Sequence, residues 1–161
     1  RVIAGTTNNV IPETAMIEGT IRAVSESTRQ KVHDGVQRVA DGIAAAHGCA
    51  ATTEIDFGYP VTTNDGKFAQ FSLGLAREVA GAQATFELPH PVMGAEDFSY
   101  LLQERPGAMV FLGATPHDAD SSKAAPNHSN RVYFDEDAMR TGIALYAAAA
   151  IRHLSGSGQA V

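Results

Sequence analysis

The sequence holds one cysteine and no tryptophan in 161 residues, with seven phenylalanines and four tyrosines as its only aromatics. A lone Cys49 cannot close an internal disulfide, which excludes a disulfide-stapled scaffold and suits a reducing compartment such as the cytoplasm. Positive charge is scarce as well. Twelve Lys and Arg against eighteen Asp and Glu give a net charge of −6 and a pI near 5.4, which argues against a nucleic-acid groove or a polybasic membrane surface. No apolar run approaches the roughly 18 residues of a membrane span. The longest, Ile143 to Ile151, is alanine-rich and flanked by Arg140 and Arg152. A G-x-S-x-G elbow, a phosphate loop and a G-x-G-x-x-G turn are all missing, and Cys49 follows a helix end with no base fixed near it. The opening Arg1-Val2-Ile3 has neither an initiating Met nor a basic-then-apolar leader, so the expectation is a piece of a longer chain without a signal peptide.

What is present reads as globular: 44% hydrophobic and 19% charged residues, with 15 Gly and 7 Pro. From Thr14 to Ala23 the apolar residues Ala15, Ile17, Ile21 and Ala23 alternate with Glu18, Thr20 and Arg22. That period of two predicts a half-buried strand with Arg22 pointing away from the core. Ser25 or Ser27 then caps a helix, Ser27 and Gln30 having capping-box spacing. Its stripe is Val32, Val36, Val39 and Ile43, and Gly48 ends it. Thr53, Ile55 and Phe57 predict a second half-buried strand. Residues 1–57 thus form a small α+β unit whose sheet is covered by helices on one face.

Gly58-Tyr59-Pro60 marks a boundary. Beyond it, Asn64 is expected to cap a helix with the stripe Phe68, Phe71, Leu75 and Val79, closed by Gly81. Ala84 to Leu88 predicts a strand, Glu96 to Gln103 a brief helix, and the apolar run Ala108 to Leu112 a strand buried on both faces. A long loop from Ala114 to Asn130 precedes a final helix from about Glu136 to Leu154, with Met139, Ile143, Tyr146 and Ala150 as its stripe. Ser155 to Val161 is expected to be a disordered tail. Helix alternating with buried strand predicts a slice of an open α/β sheet, and neither half buries enough surface to be comfortable alone.

Of six histidines, His33, His47 and His153 lie on charged helical stretches and read as solvated. His117 stands beside Asp118 and Asp120, a setting for a metal or simply for water. His128 is placed differently, at the end of the long loop before Val132-Tyr133-Phe134, where loops at a sheet edge deliver active-site ligands. In Gly94-Ala95-Glu96-Asp97-Phe98, adjacent carboxylates open a helix, either as favourable N-terminal charges or as groups of a ligand site.

Three stretches then combine: Gly5-Thr6-Thr7-Asn8-Asn9-Val10-Ile11-Pro12-Glu13 with Gly19-Thr20-Ile21-Arg22; Met93-Gly94-Ala95-Glu96-Asp97-Phe98-Ser99; and His128-Ser129 followed by Phe134-Asp135-Glu136-Asp137-Ala138. In this order and spacing they resemble the C-terminal part of the dinuclear-metal amidohydrolases and peptidases. That family includes hippurate hydrolases, N-acyl-amino-acid amidohydrolases and auxin-conjugate hydrolases, and more distantly aminoacylases and glutamate carboxypeptidases. The resemblance implies an α/β fold: the C-terminal part of a zinc-peptidase-like catalytic domain over 59–154, preceded by part of a ferredoxin-like α+β lid and dimerisation domain over 1–57. It implies that Arg22 holds a substrate α-carboxylate and Asn9 the scissile carbonyl, that Gly94 and Glu96 wall the pocket, and that Asp97 hydrogen-bonds behind it. His128 corresponds to the last ligand of two divalent metal ions (Zn, Mn, Co or Ni). The other ligands, the bridging carboxylate and the general-base Glu have no counterpart here, so the chain by itself is expected to be inactive and to hold the metals incompletely. The implied partners are a small N-acyl amino acid or amide substrate and a second copy in a homodimer, with no nucleic acid and no membrane. A non-catalytic dimerisation or ligand-binding module, pairing sheet edges across a two-fold, is the alternative.

Overall fold

In the computed structural model, residues 1–156 are described, and they divide into two compact units. The first comprises 1–61 together with 91–95, and the second 62–90 together with the chain from Glu96 on. The polypeptide therefore returns to the first unit for five residues in the middle of the second.

The first unit holds a two-stranded antiparallel sheet, β1 (Val2–Ala4) and β2 (Ala15–Ile17), in the register Val2↔Ile17, Ile3↔Met16 and Ala4↔Ala15. The ladder is extended by Glu18 N–H donating to the Arg1 carbonyl at 2.8 Å and flanked by an Arg1–Glu18 ion pair at 2.6 Å. Gly5, at φ 73°, turns the chain out of β1 in a left-handed conformation that other residues rarely adopt. The expected strand from Thr14 to Ala23 is thus three residues long, and its outward and inward positions are all exposed, Ile17 at 81%. Alternation alone does not bury a face when no layer lies over it.

Helix α1 (Glu26–Ala46) starts at Ser25, whose hydroxyl accepts from Thr28 N–H at 3.2 Å. Ser25 is therefore the cap rather than Ser27, and Gln30 bonds to Asp34 instead of closing a capping box. At its other end Gly48 takes φ 69°, and Cys49 N–H reaches back to the Ala44 carbonyl at 2.8 Å. The stripe Val32, Val36, Val39, Ile43 is exposed. The unit is held instead through Glu26, Arg29 and His33, spaced i, i+3, i+7 on a different face of the helix. Glu26 Oε1 accepts from Val61 N–H at 2.8 Å, and Arg29 donates to the Gly58 carbonyl at 3.3 Å and lies over the Phe57 ring. His33 meets Phe57 edge to face, ring centroids 4.8 Å apart. His33, expected in solvent, is 5% exposed, and its Nδ1 has no hydrogen-bond partner among the described residues. The segment 53–57 that carries Phe57 is not laddered to any strand among the described residues.

In the second unit, α2 (Gly66–Ala80) is capped by Asp65, whose carboxylate accepts from Lys67 and Phe68 N–H at 3.0 Å each. Asn64, the expected cap, does something else: its amide pairs with both backbone groups of Met109, accepting from N–H at 2.8 Å and donating to C=O at 3.0 Å. It acts as a one-residue strand partner for the 108–112 run, next to the Asp65 N–H bond to the Gly107 carbonyl at 2.8 Å. The stripe of α2 is half-buried at Phe68, Phe71 and Val79 and buried at Leu75 (3% exposed). Helix α2 packs on α4 (Ala138–Leu154), with Arg152 and Glu78 paired at 2.7 Å and the His153 ring tilted against Phe68. His153 is thus a packing residue at its ring, while its own position stays exposed. A Cβ on Gly142 of α4 would come within 3.1 Å of Leu112 Cδ2, which marks how closely the 108–112 run approaches that helix.

Between these, Ala82–Ala84 forms a single 3-10 turn where the strand Ala84 to Leu88 was expected to begin, and α3 runs from Phe98 to Glu104. The 108–112 run is not a doubly buried strand. Val110, Phe111 and Leu112 are 49%, 62% and 47% exposed, and no second strand pairs with them among the described residues. The tail expected over 155–161 is described only at Ser155 and Gly156, which close α4 by bonding back to Ile151 and His153; its remainder lies outside the described residues.

Candidate functional site

Asn9 ends the turn between the two short strands. Thr7 Oγ1 donates to its Oδ1 at 3.0 Å, which leaves the amide NH2 without a partner among the described residues and able to donate. Arg22, thirteen residues on, is exposed as expected but not idle: Nη1 donates to the backbone carbonyl of Met93 at 2.8 Å, across 71 residues of sequence. That bond places Arg22 beside the segment 91–95, which includes Gly94. Asn9, Arg22 and Gly94 accordingly all belong to the first unit.

Glu96, Asp97 and His128 belong to the second. Glu96 is half-buried and its carbonyl accepts both the amide and the hydroxyl of Ser99, at 3.1 and 2.5 Å. Ser99 is fully buried, so this turn is fixed from beneath. Asp97 stands at the first position before α3 in helical geometry, and its carboxylate makes no capping bond, leaving it exposed. The acidic pair makes no capping bond, and it still stands at the N-terminus of α3, where its charge is favourable.

His128 sits on a loop whose ends are tied by Asp135 N–H donating to the Ala114 carbonyl at 2.8 Å. The turn carrying it is fixed by Ser129 N–H to the Pro126 carbonyl at 2.8 Å and by Arg131 N–H to Ser129 Oγ at 3.1 Å. Its imidazole is exposed and bonds to nothing among the described residues. His117 turns to the base of the same loop, Nε2 3.7 Å from Asp135 Oδ2, rather than to Asp118 or Asp120. Asp120 is occupied with its own loop: the Ser122 hydroxyl first, then Lys123, hold its carboxyl below the usual range.

Sequence reasoning missed two participants. Met93 acts through its carbonyl, which no side-chain pattern signals. Asp135 closes the loop beneath His128, and only its place at the head of an acidic triplet hinted at it. Metal chemistry is limited by the donor set. Among the described residues no three His, Cys, Asp or Glu side chains cluster as a cage. One exposed imidazole fits a single coordination position, not a pair of ions, so the residues described here do not by themselves fit a dinuclear centre.

Known proteins with this sequence pattern bear on the reading. The profile of Peptidase family M20/M25/M40 matches residues 6–152. Thermostable carboxypeptidase 2 of Saccharolobus solfataricus is 34% identical over 92% of this chain, and the putative amidohydrolase YhaA of Bacillus subtilis 30% identical over 94%. N-acetyldiaminopimelate deacetylase of Streptococcus suis is 38% identical over 76%. The chain spans 37% of the length of the first two and 33% of the third. Among solved structures, Bacillus subtilis YXEP protein, described as a dinuclear metal binding peptidase from the M20 family, superposes with a TM-score of 0.70. It is 32% identical over 91% of this chain and 38% of its own.

Proposed function

The chain belongs to peptidase family M20/M25/M40, and from that premise we propose that it is the C-terminal part of a metal-dependent amidohydrolase that cleaves the amide bond of N-acyl amino acids or related small amides and peptides. The observation that carries the reading is the family match over 6–152, supported by similarity to proteins named as a carboxypeptidase and a deacetylase, names that denote cleavage of carbon–nitrogen amide bonds. On this proposal residues 1–57 are the later part of a ferredoxin-like lid through which a homodimer forms, and 59–154 the end of the catalytic domain. The enzyme works in the cytoplasm.

The chain's own groups suit substrate binding. The guanidinium of Arg22 matches the planar geometry of an α-carboxylate. The uncommitted amide of Asn9 can donate to a carbonyl oxygen as negative charge develops on it. Gly94 in the first unit and Glu96 in the second are each assigned to substrate binding on this reading, and Asp97, which makes no capping bond, to hydrogen bonding behind the substrate groups. On this reading His128 offers one imidazole to a centre of two divalent ions (Zn, Mn, Co or Ni), and the other ligands come from outside this chain, whose described residues hold no cluster of three such groups. The alternative, a non-catalytic association module, draws on one observation: Ile11, Ile17 and the α1 stripe present apolar surface to solvent.

The test is made in the whole protein. Hydrolysis of hippurate and N-acetyl amino acids is expected, abolished by a chelator, restored by added metal, and reduced at least about a hundredfold by His128→Ala. Undiminished turnover in the chelated enzyme, or in His128→Ala, overturns the proposal; dimerisation with no hydrolysis at all supports the association module.

A further inference from the structure

Residues 91–95 are anomalous in the fold. Their neighbours in sequence lie in the second unit, yet they pack with the first, and they belong to no helix or strand. Pro91 has no N–H to offer. Among the described residues, the one hydrogen bond made by this segment is the Met93 carbonyl accepting from Arg22 Nη1 at 2.8 Å. The charged donor makes that bond stronger than a neutral pair of the same geometry. Arg22 itself stands beyond the end of β2, on chain with no ladder of its own.

The guanidinium is only partly used. It carries five N–H donors in a rigid fork, and here one nitrogen is committed to Met93 while Nε and Nη2 bond to nothing among the described residues. Those two nitrogens form one edge of the fork, the edge that can grip both oxygens of a carboxylate. We propose that Arg22 is at once a receptor and a latch: it fastens the 91–95 segment to the first unit through Met93, and a carboxylate seated on its Nε–Nη2 edge tightens that fastening. The receptor half rests on the reading of Arg22 given under Proposed function; the latch half does not. By linkage, whatever stiffens the segment strengthens carboxylate binding by the same factor. Arg22 is thus a positioning residue for the 91–95 segment and for Gly94 within it.

The experiment is backbone NMR on the chain, comparing wild type, Arg22→Ala, Arg22→Lys and a control, Arg29→Ala, in the same unit. In wild type, order parameters at Val92, Gly94 and Ala95 are expected near those of rigid backbone, about 0.8, falling below about 0.6 in Arg22→Ala. The Met93 carbonyl carbon resonance shifts with the loss of its donor. Arg22→Lys, which keeps one charged donor, restores both signals, and Arg29→Ala leaves them unchanged. An unaltered segment in Arg22→Ala, or an equal loosening in Arg29→Ala, overturns the latch. Hippurate is then the probe for the receptor: it is expected to raise the order parameters in wild type and not in Arg22→Lys, which lacks the two-pronged edge. If the latch signals hold while hippurate perturbs nothing around Arg22, the carboxylate role fails and the latch stands. If hippurate shifts the Arg22 side chain but leaves 91–95 unchanged, the coupling fails and the receptor stands.

Discussion

Helices α1 and α2 carry apolar stripes of the same period, yet the two stripes meet opposite fates. Phe68, Phe71, Leu75 and Val79 of α2 are half-buried or buried in the second unit, where α2 packs on α4, whereas Val32, Val36, Val39 and Ile43 of α1 are exposed. In the first unit the contacts run along a neighbouring face of α1, through a carboxylate, a guanidinium and an imidazole. Periodicity states which face is able to be buried; burial itself needs a partner surface. The lesson is that a stripe is a demand for an opposing layer, met within the chain for α2 and not for α1.

That contrast can be broken first at Leu75. Leu75→Ala removes a buried side chain and is expected to destabilise the second unit by about 2–5 kcal/mol. The matched change in the exposed stripe, Val36→Ala, should stay within about 0.5 kcal/mol. Chemical denaturation followed separately in each unit checks both, and equal losses would erase the distinction.

Next in size is Asn64→Ala, which strips both backbone partners from Met109 and should cost about 1 kcal/mol. Asn64→Asp, keeping the acceptor but not the donor, should cost less, and the 109 amide exchange rate reports which half is lost.

His33→Phe sharpens the comparison from the other side. The ring stays against Phe57 while a buried nitrogen without a partner disappears, so the first unit should be unchanged or gain up to about 1 kcal/mol. A clear loss in thermal melting would mean that His33 holds a polar contact essential to the unit.

The smallest effect is on pH. The Val61 N–H holds the Glu26 carboxyl below its ordinary value of 4.5; partial burial opposes it, and Arg29 and His33 add to the lowering. A depressed carboxylate contributes stability that is complete above 4.5 and lost as pH falls through its lower folded value. The Glu26 side chain is exposed and its interactions are screened by solvent, so the acid-side decline should be slight, and Glu26→Gln should flatten it.

These cases also measure how much was written in the sequence. The four helices were legible because their signals are local: Ser25, Gly48 and Gly81 punctuate the chain where the backbone needs them. Asp65 displaced Asn64 as a cap because two adjacent polar residues compete for one role, and the amide, with both donor and acceptor, is the better match for a peptide group. Strands were poorly legible. The 53–57 and 108–112 runs have strand composition, but a strand is a relation between two segments, and no ladder partner for either exists among the described residues. In the candidate site the side-chain types at Asn9, Arg22, Glu96, Asp97 and His128 could be singled out, whereas the Met93 carbonyl and the tie between Ala114 and Asp135 could not, since backbone groups are present at every position.

On the proposed reading, amide hydrolysis requires ligands beyond the single imidazole of His128. The most direct measurement is turnover of hippurate by the purified 161-residue chain with added zinc, manganese or cobalt, set beside an intact homologue. No turnover above that of the metal alone is expected; a rate comparable to the homologue's would show that the chain's own residues suffice.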